Sequence, residues 1–307
     1  MTEAAANNFD LDEYLGRQSA LVDRALETHL AGYPEAAQTL YRAMRRGVFP
    51  GGKRIRPILT LAAGELFGAG ADRLLPFACA VELIHAYSLI HDDLPALDDD
   101  DFRRGEPAVH KIFGDGMALL AGDGLLTEAF HLLSGSAASS ATAPETVVKV
   151  IRELAHAAGP LGLVGGQALD LEAEEKIVDL ATVEMIHVRK TGALILAAIR
   201  IGAQVAQAGS ADLARLSRYG EYLGLAFQIA DDILDNHGAK IEPARPSTSE
   251  LKKATYPSVV GIAAARERLG ELLELALGEL ETYGARGAAL GAIAHQIVDR
   301  AMHGASA

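Results

Sequence analysis

The chain has 307 residues, of which 50% are hydrophobic, so it can bury a large core as one domain or two. Its formal net charge of −13 argues against nonspecific nucleic-acid binding, which requires a basic face. The single cysteine, Cys79, excludes an internal disulfide framework and a cysteine-based zinc site.

The N-terminus has no basic region followed by an apolar one, as a secretory signal would have. No run approaches the roughly 20 apolar residues of a membrane span. We therefore expect a reduced, cytoplasmic protein without a membrane span.

Apolar residues recur at a spacing of three to four along most of the chain, which predicts an all-α fold. We expect a flexible connector at 134–144, a loop at 236–250 and a single domain over 1–307. The predicted helices cover residues 9–30, 34–46, 57–68, 72–94, 115–134, 144–158, 179–208, 211–235, 257–283 and 286–302.

The first polar stretch of interest runs from Gly51 to Pro57 and enters a predicted helix. It carries Lys53, Arg54 and Arg56, although the helix dipole disfavours positive charge at this end. A bound anion such as phosphate would resolve that conflict. The alternative is that the three cations are simply exposed on a loop.

Six aspartates fall within residues 92–101, directly after an apolar helical run. His85 lies seven residues before Asp92 and shares its helical face. Asp98 would point elsewhere on an ideal helix, unless Pro95 distorts the chain and brings it back.

A second acidic group lies inside the apolar run 227–235. Asp231 and Asp235 are four residues apart on one helical face, where like charges repel, and a divalent cation would remove the repulsion. Carboxylates without cysteine select hard cations, and Mg²⁺ is usually held by carboxylates together with substrate phosphates. We therefore predict a diphosphate substrate with an apolar organic part, bound through Mg²⁺ and nearby Lys and Arg.

At this point the chain resembles the trans-isoprenyl diphosphate synthase family, which includes farnesyl and geranylgeranyl diphosphate synthases. The resemblance implies an all-α helical bundle around a deep central cavity, in a homodimer. It rests on five stretches in family order, GGKRIRP (51–57), IHAYSLIHDDLPALDDDDFRRG (84–105), RKTGAL (189–194), FQIADDILD (227–235) and KKATYP (252–257).

The resemblance also implies roles for individual residues. The reaction would be ionisation of an allylic diphosphate, attack by isopentenyl diphosphate and loss of a proton. Mg²⁺, three ions per site with Mn²⁺ as a possible substitute, would be held by Asp92, Asp93, Asp98, Asp231, Asp232 and Asp235. The allylic diphosphate would contact Arg103, Lys190 and Lys253. The isopentenyl diphosphate would contact Lys53, Arg56, His85 and Arg104. Thr191 and Gln228 would stabilise the allylic cation.

Product length depends, in this family, on the residues four and five before the first aspartate, here Ser88 and Tyr87. An isoprene unit is about as long as one helical turn, so a bulky side chain can stop one elongation. The resemblance and the bulk of Tyr87 predict a fifteen-carbon product. The alternative is that Tyr87 is ordinary core and the product is geranylgeranyl diphosphate.

One region departs from the family pattern, because residues 236–250 lack the expected Gly-Lys-x-x-Gly-x-Asp loop. This departure supports one further alternative, a weakly catalytic subunit that regulates a second synthase. A terpene cyclase would not need the second diphosphate pocket formed by Lys53, Arg56 and His85.

Overall fold

The computed structural model describes residues 9–31, 37–49, 51–139, 142–174, 176–238 and 255–303. Nearly all of them are helical, as the periodicity predicts. In chain order the elements are α1 (Leu11–His29), α2 (Gln38–Val48), α3 (Ile55–Glu65), α4 (Ala71–Asp92), β1 (Phe102–Arg103), β2 (Glu106–Pro107), α5 (Val109–Phe113), α6 (Asp115–Ser139), α7 (Pro144–Ala158), α8 (Leu163–Ala173), α9 (Leu180–His187), a π-helical turn (Val188–Gly192), α10 (Ala193–Val205), α11 (Ser210–Gly238), α12 (Tyr256–Val260), α13 (Ile262–Leu280), a 3₁₀ helix (Glu281–Gly287) and α14 (Ala288–His303).

Helix ends follow local chemistry where a capping group is present. Asp10 caps α1 by accepting a hydrogen bond from Glu13 N at 2.9 Å, and Pro144 occupies the first turn of α7. The single helix predicted over 257–283 is wrong, because Gly261 adopts a φ of 85° and separates α12 from α13. The connector predicted at 134–144 is partly wrong as well, because α6 continues to Ser139.

Two features inside the helical region were not predicted. The glycine-rich segment after Gly159 folds into α8, and a Cβ on Gly166 would lie 2.2 Å from the backbone nitrogen of Lys190. The predicted helix 179–208 contains the π-helical turn, whose Gly192 approaches Gly224 of α11 so closely that a Cβ on Gly224 would lie 2.8 Å from Gly192 Cα. Small residues therefore let α8, the π-turn and α11 meet at one point.

The aspartate-rich stretch leads into a short antiparallel hairpin, which the sequence analysis missed. Phe102 pairs with Pro107 and Arg103 with Glu106. Arg104 and Gly105 form the turn with φ values of 55° and 78°. Ala108 N donates to Asp101 O at 2.9 Å and closes the base of the hairpin. With only two residues per strand, the hairpin has no alternating pattern to read from sequence.

A continuous apolar core extends from Tyr14 in α1 to Ala301 in α14, and α4 lies inside it, packed against α6, α3 and α10. Helix α4 is also long and apolar enough to cross a membrane by length and composition, with a mean hydropathy of 1.4 over its best window. In the structure 72% of that window is buried, so its apolar character is accounted for by packing between helices.

Candidate active site

A cavity of about 380 Å³ collects positive charge between α3, α4, α11 and α14. It is lined by all four residues predicted to hold isopentenyl diphosphate, Lys53, Arg56, His85 and Arg104. Asp231 also lines this cavity. Residues from separate parts of the sequence thus meet here, with cations and one of the predicted metal ligands facing a shared space.

The three cations of the Gly51–Pro57 stretch have different surroundings. Arg54 is 3% exposed, and its Nη1 lies 2.6 Å from an oxygen of Glu82, which is also 3% exposed. Its Nε donates to Asp23 at 2.9 Å and its Nη2 to Val48 O at 2.8 Å. Arg54 is therefore fully used inside the protein. Lys53 and Arg56 remain to bind an anion.

His85 and Arg56 form the inner wall of this cavity. Arg56 Nη1 lies 3.4 Å from His85 Nε2, and the Arg56 guanidinium lies over the Phe227 ring at 5.8 Å. Burial, followed by the charges of Arg56 and Arg104, holds the pKa of His85 well below its usual range. His85 is consequently neutral at pH 7 and can donate or accept a hydrogen bond without adding charge.

The first aspartate group is folded back on itself after Pro95. Asp98 N donates to Asp92 O at 2.8 Å, so the turn does return Asp98 to the end of α4. Asp93 is 3% exposed and accepts a hydrogen bond from Arg103 Nε at 2.9 Å. Burial raises the pKa of Asp93, and the pairing with Arg103 acts in the opposite direction.

The second aspartate group divides in two. Burial, followed by the charge of Asp235, raises the pKa of Asp231 to about 6. This pair has the repulsion predicted for carboxylates one helical turn apart, and a hard cation such as Mg²⁺ fits it. Asp232, by contrast, is 6% exposed and accepts hydrogen bonds from Tyr256 N at 2.7 Å and Gln228 Nε2 at 3.0 Å.

Thr191, Gln228 and Asp232 form one directed hydrogen-bond chain. Thr191 Oγ1 donates to Gln228 Oε1 at 2.7 Å, and the Gln228 amide nitrogen donates to Asp232. Because Asp232 accepts from the amide nitrogen, the carbonyl oxygen of Gln228 is turned towards Thr191. The negative ends of the two dipoles are therefore gathered at the π-turn, where they would favour a cation.

Two further residues of this region, Asp170 and His187, were not predicted as site residues. Asp170 Oδ2 of α8 contacts Lys190 Nζ at 2.6 Å. His187 Nε2 lies 3.3 Å from Asp232 Oδ2, and its ring stacks on Tyr256. Burial lowers the pKa of His187 to about 4, so at pH 7 it is a neutral hydrogen-bonding group.

The predicted product-length residues lie on the buried side of α4. Tyr87 is 5% exposed and packs edge-on against His91 with ring centroids 5.7 Å apart. His91 Nε2 lies 3.0 Å from Leu119 O of α6, and a Cβ on Gly122 would lie 2.0 Å from the same nitrogen. Ser88 Oγ donates to His85 O at 2.9 Å. His91 therefore contacts α6, and the buried Tyr87 packs against His91 one helical turn earlier on α4.

The sequence analysis also missed Arg300 and Gln296 of α14, which line the cationic cavity. Arg300 repels Lys53 and, after burial, lowers its pKa. No local pattern distinguishes Arg300, since only the packing of α14 beside α3 brings it to the cavity. Lys253 and the part of the atypical loop from residue 239 lie outside the described residues.

Comparisons with known proteins agree over almost the whole chain. A family model described as polyprenyl synthetase matches residues 37–283. Farnesyl diphosphate synthase of Escherichia coli (strain K12) is 45% identical over 288 residues, which cover 91% of this chain and 95% of that protein. Geranylgeranyl diphosphate synthase of Cyanophora paradoxa is 43% identical over 298 residues, with 95% and 97% covered. The crystal structure of an FPP/GFPP synthase from Zymomonas mobilis has a TM-score of 0.84 and 38% identity, with 94% and 98% covered. The names of these relatives specify products of different chain length.

Proposed function

The chain belongs to the polyprenyl synthetase family and is a trans-prenyl diphosphate synthase, and from this premise we propose that it makes farnesyl diphosphate. It would join isopentenyl diphosphate to dimethylallyl or geranyl diphosphate and stop at fifteen carbons. The observation that carries this proposal is the pairing of a cationic cavity with the buried side chain of Tyr87, five residues before the first aspartate of the acidic run.

The cationic cavity supports a site for the isopentenyl diphosphate. Lys53, Arg56, Arg104 and Arg300 supply positive charge, and neutral His85 supplies a hydrogen bond without repelling them. Charge-assisted hydrogen bonds to phosphate oxygens are about twice as strong as neutral ones. A terpene cyclase binds one diphosphate and would not need this second cluster of cations.

The aspartate groups support a Mg²⁺-bound allylic diphosphate beside it. The proposed ligands are Asp92, Asp93, Asp98, Asp231, Asp232 and Asp235, for three ions per site. Of these, Asp93 and Asp232 also accept hydrogen bonds from protein donors, which orient their carboxylates. When bound, Mg²⁺ supplies Lewis-acid stabilisation of the departing diphosphate.

The protein groups around the allylic site would bind and orient the substrate. Arg103 donates to Asp93, and Lys190 donates to Asp170. Each of these two basic side chains has further N–H groups that can donate to a diphosphate. Lys253 would be a third donor. Thr191 and Gln228 would place their oxygen dipoles against the positive charge that develops on the allylic carbon.

The fifteen-carbon limit rests on Tyr87. Its ring is held against His91, and His91 is in turn held against α6, so the ring cannot swing aside without moving a helix contact. Burial, followed by the charge of Asp92, raises the pKa of Tyr87 to about 12, so the side chain stays neutral beside an apolar tail. Ser88 adds little bulk, which leaves Tyr87 as the residue that limits length.

We also propose that the enzyme works as a cytoplasmic homodimer of single-domain chains. The support is a set of exposed apolar side chains on α6, α7 and the hairpin, namely Leu119, Leu120, Val148 and Phe102, each 48% to 65% exposed. Sedimentation equilibrium tests this directly, with an expected mass twice that of the chain.

The activity is tested by incubating the purified protein with isopentenyl diphosphate, Mg²⁺ and either dimethylallyl or geranyl diphosphate. The dephosphorylated products are then sized by chromatography and mass spectrometry. We expect farnesol from both allylic substrates. A twenty-carbon product would identify a geranylgeranyl diphosphate synthase instead. No elongation with either substrate would favour the regulatory-subunit hypothesis.

A further inference from the structure

A separate cluster of side chains that could bind a metal lies where the base of the hairpin meets α5. Asp99, Asp101 and His110 each offer one ligand atom, and these atoms all lie within 4.8 Å of one another. Among the residues that the structure describes, this is the only group of three acidic, histidine or cysteine side chains found so close together. None of the three has a role in the proposed prenyl transfer.

His110 is the observation that points to a ligand. The residue is 5% exposed, and both of its ring nitrogens are buried without a hydrogen-bond partner. Buried polar atoms are normally paired, because an unpaired one loses its bonds to water and gains nothing in return. A cation bound between the ring and the two carboxylates would satisfy one of these nitrogens.

The backbone brings the three residues together from separate segments. Asp99 follows α4 and has a φ of 52°, in the left-handed region that aspartate tolerates better than most residues. The bond from Ala108 N to Asp101 O closes the hairpin and sets His110, the second residue of α5, beside Asp101. Asp98, one residue earlier, is bonded through its amide to Asp92 O at the end of α4 and is not part of the cluster.

We propose that Asp99, Asp101 and His110 form a second divalent-cation site, selective for Zn²⁺ over Mg²⁺. An imidazole nitrogen with two carboxylates is a typical donor set for zinc, whereas Mg²⁺ prefers oxygen ligands and retains its waters. Ligand atoms around a tetrahedral zinc with bonds of about 2.0–2.1 Å lie roughly 3.3 Å apart, so the existing spacing needs only small side-chain rotations.

Lys111 is the competitor of the cation. Its Nζ lies 2.5 Å from Asp101 Oδ1, and both side chains are exposed. Zn²⁺ binding at Asp101 must displace or share this lysine. A bound cation would also tie the base of the hairpin to α5, and the hairpin carries Arg103 and Arg104.

The test measures Zn²⁺ binding to the full-length chain by equilibrium dialysis after chelator treatment. Millimolar Mg²⁺ is present throughout, so that the catalytic aspartates are already occupied. We expect one Zn²⁺ per chain, lost or weakened about tenfold or more in Asp99→Asn and Asp101→Asn. Asp100→Asn is the matched control, because it removes the same charge from the same acidic run and lies outside the cluster.

Two further variants have different expected effects on Zn²⁺ binding. Lys111→Met should bind Zn²⁺ more tightly than the wild type, because it removes the competing cation. Asp231→Asn, in the second aspartate group, should leave Zn²⁺ binding unchanged. With Co²⁺ in place of Zn²⁺, visible absorption bands that disappear in Asp101→Asn would report the same site independently of activity.

Three results would overturn the proposal. They are the absence of Zn²⁺ binding by the wild type in Mg²⁺, equal weakening by Asp100→Asn and Asp101→Asn, and loss of binding in Asp231→Asn with retention in Asp101→Asn. The test uses variants of the exposed residues Asp99, Asp101 and Lys111, so its outcome does not depend on whether a variant of the buried His110 folds.

Discussion

Arg54 and Arg56 lie two residues apart but have different surroundings, and paired substitutions test whether the first stabilises the fold and the second binds substrate. Arg54→Gln removes the partner of Glu82, whose carboxylate lies 2.6 Å away and is 3% exposed. Breaking a buried ion pair by deleting one partner costs about 3–5 kcal/mol, because the remaining charge stays buried without compensation. Val48 O also loses the donor that now lies 2.8 Å away.

Arg56→Gln should have the reverse profile. Within the described part of the chain, no carboxylate lies at salt-bridge distance from Arg56, and burial lowers its pKa. Its loss should therefore change the free energy of unfolding by less than about 1 kcal/mol. A hydrogen bond to a charged group contributes about 1.5–3 kcal/mol. Losing that contact to isopentenyl diphosphate would raise KM roughly 10- to 150-fold.

Two measurements decide between these profiles. Urea unfolding followed by circular dichroism gives the free energy of unfolding, and initial rates at saturating geranyl diphosphate give KM for isopentenyl diphosphate. Lys53→Gln removes an exposed cation of the same cavity, so it should also raise KM for isopentenyl diphosphate while the free energy of unfolding stays near that of the wild type. The reasoning is refuted if Arg56→Gln unfolds as readily as Arg54→Gln while its KM remains that of the wild type.

Substitutions at three other positions test the remaining parts of the site. Tyr87→Ala should lengthen the product by one five-carbon unit, as seen by mass spectrometry, whereas Tyr87→Phe should not; an unchanged length in Tyr87→Ala would remove it as the limiting residue. Thr191→Val deletes the 2.7 Å hydrogen bond to Gln228 while preserving shape, so kcat should fall about tenfold with little change in KM, and an unchanged kcat would contradict the dipole argument. His85 has a folded pKa below its unfolded value, so the unfolded chain takes up a proton first as the pH falls below about 6.5. Below that point the free energy of unfolding of the wild type should fall by up to about 1.4 kcal/mol per pH unit. In His85→Asn the fall should be smaller. Urea unfolding at several pH values measures both slopes, and equal slopes would be inconsistent with a neutral buried His85.

The fold class and most helices could be predicted because apolar periodicity is a local property. Helix α7 begins and ends where it was predicted, at residues 144 and 158. The π-turn could not be predicted, because it depends on the close approach of Gly192 to Gly224, far away in the sequence. Helix α8 was missed for a related reason: glycine lowers helix propensity locally but is needed where Gly166 meets Lys190.

In the candidate site, the sequence could indicate which residue types are present but not which partners they contact. The sequence could indicate that Lys53, Arg56, His85 and Arg104 share a site, since the family resemblance implies one shared ligand for them, and the structure brings them into one cavity. It could not separate Arg54 from its neighbours, because the buried partner Glu82 is 28 residues away. Nor could it find Arg300, which reaches the cavity only through the packing of α14.

The aspartate-rich stretch has to be divided by its partners, because six carboxylates in ten residues cannot share one function without a large cost in repulsion. The turn after Pro95 joins Asp98 to Asp92 through a backbone hydrogen bond, and Asp93 pairs with Arg103. After Asp99, whose backbone is left-handed, Asp100 contacts Arg103 and Asp101 contacts Lys111. Asp92 and Asp98 belong to the proposed Mg²⁺ site, whereas Asp99 and Asp101 lie close to the buried His110, whose ring nitrogens have no hydrogen-bond partner. The two proposed cation sites therefore use different members of the same acidic run.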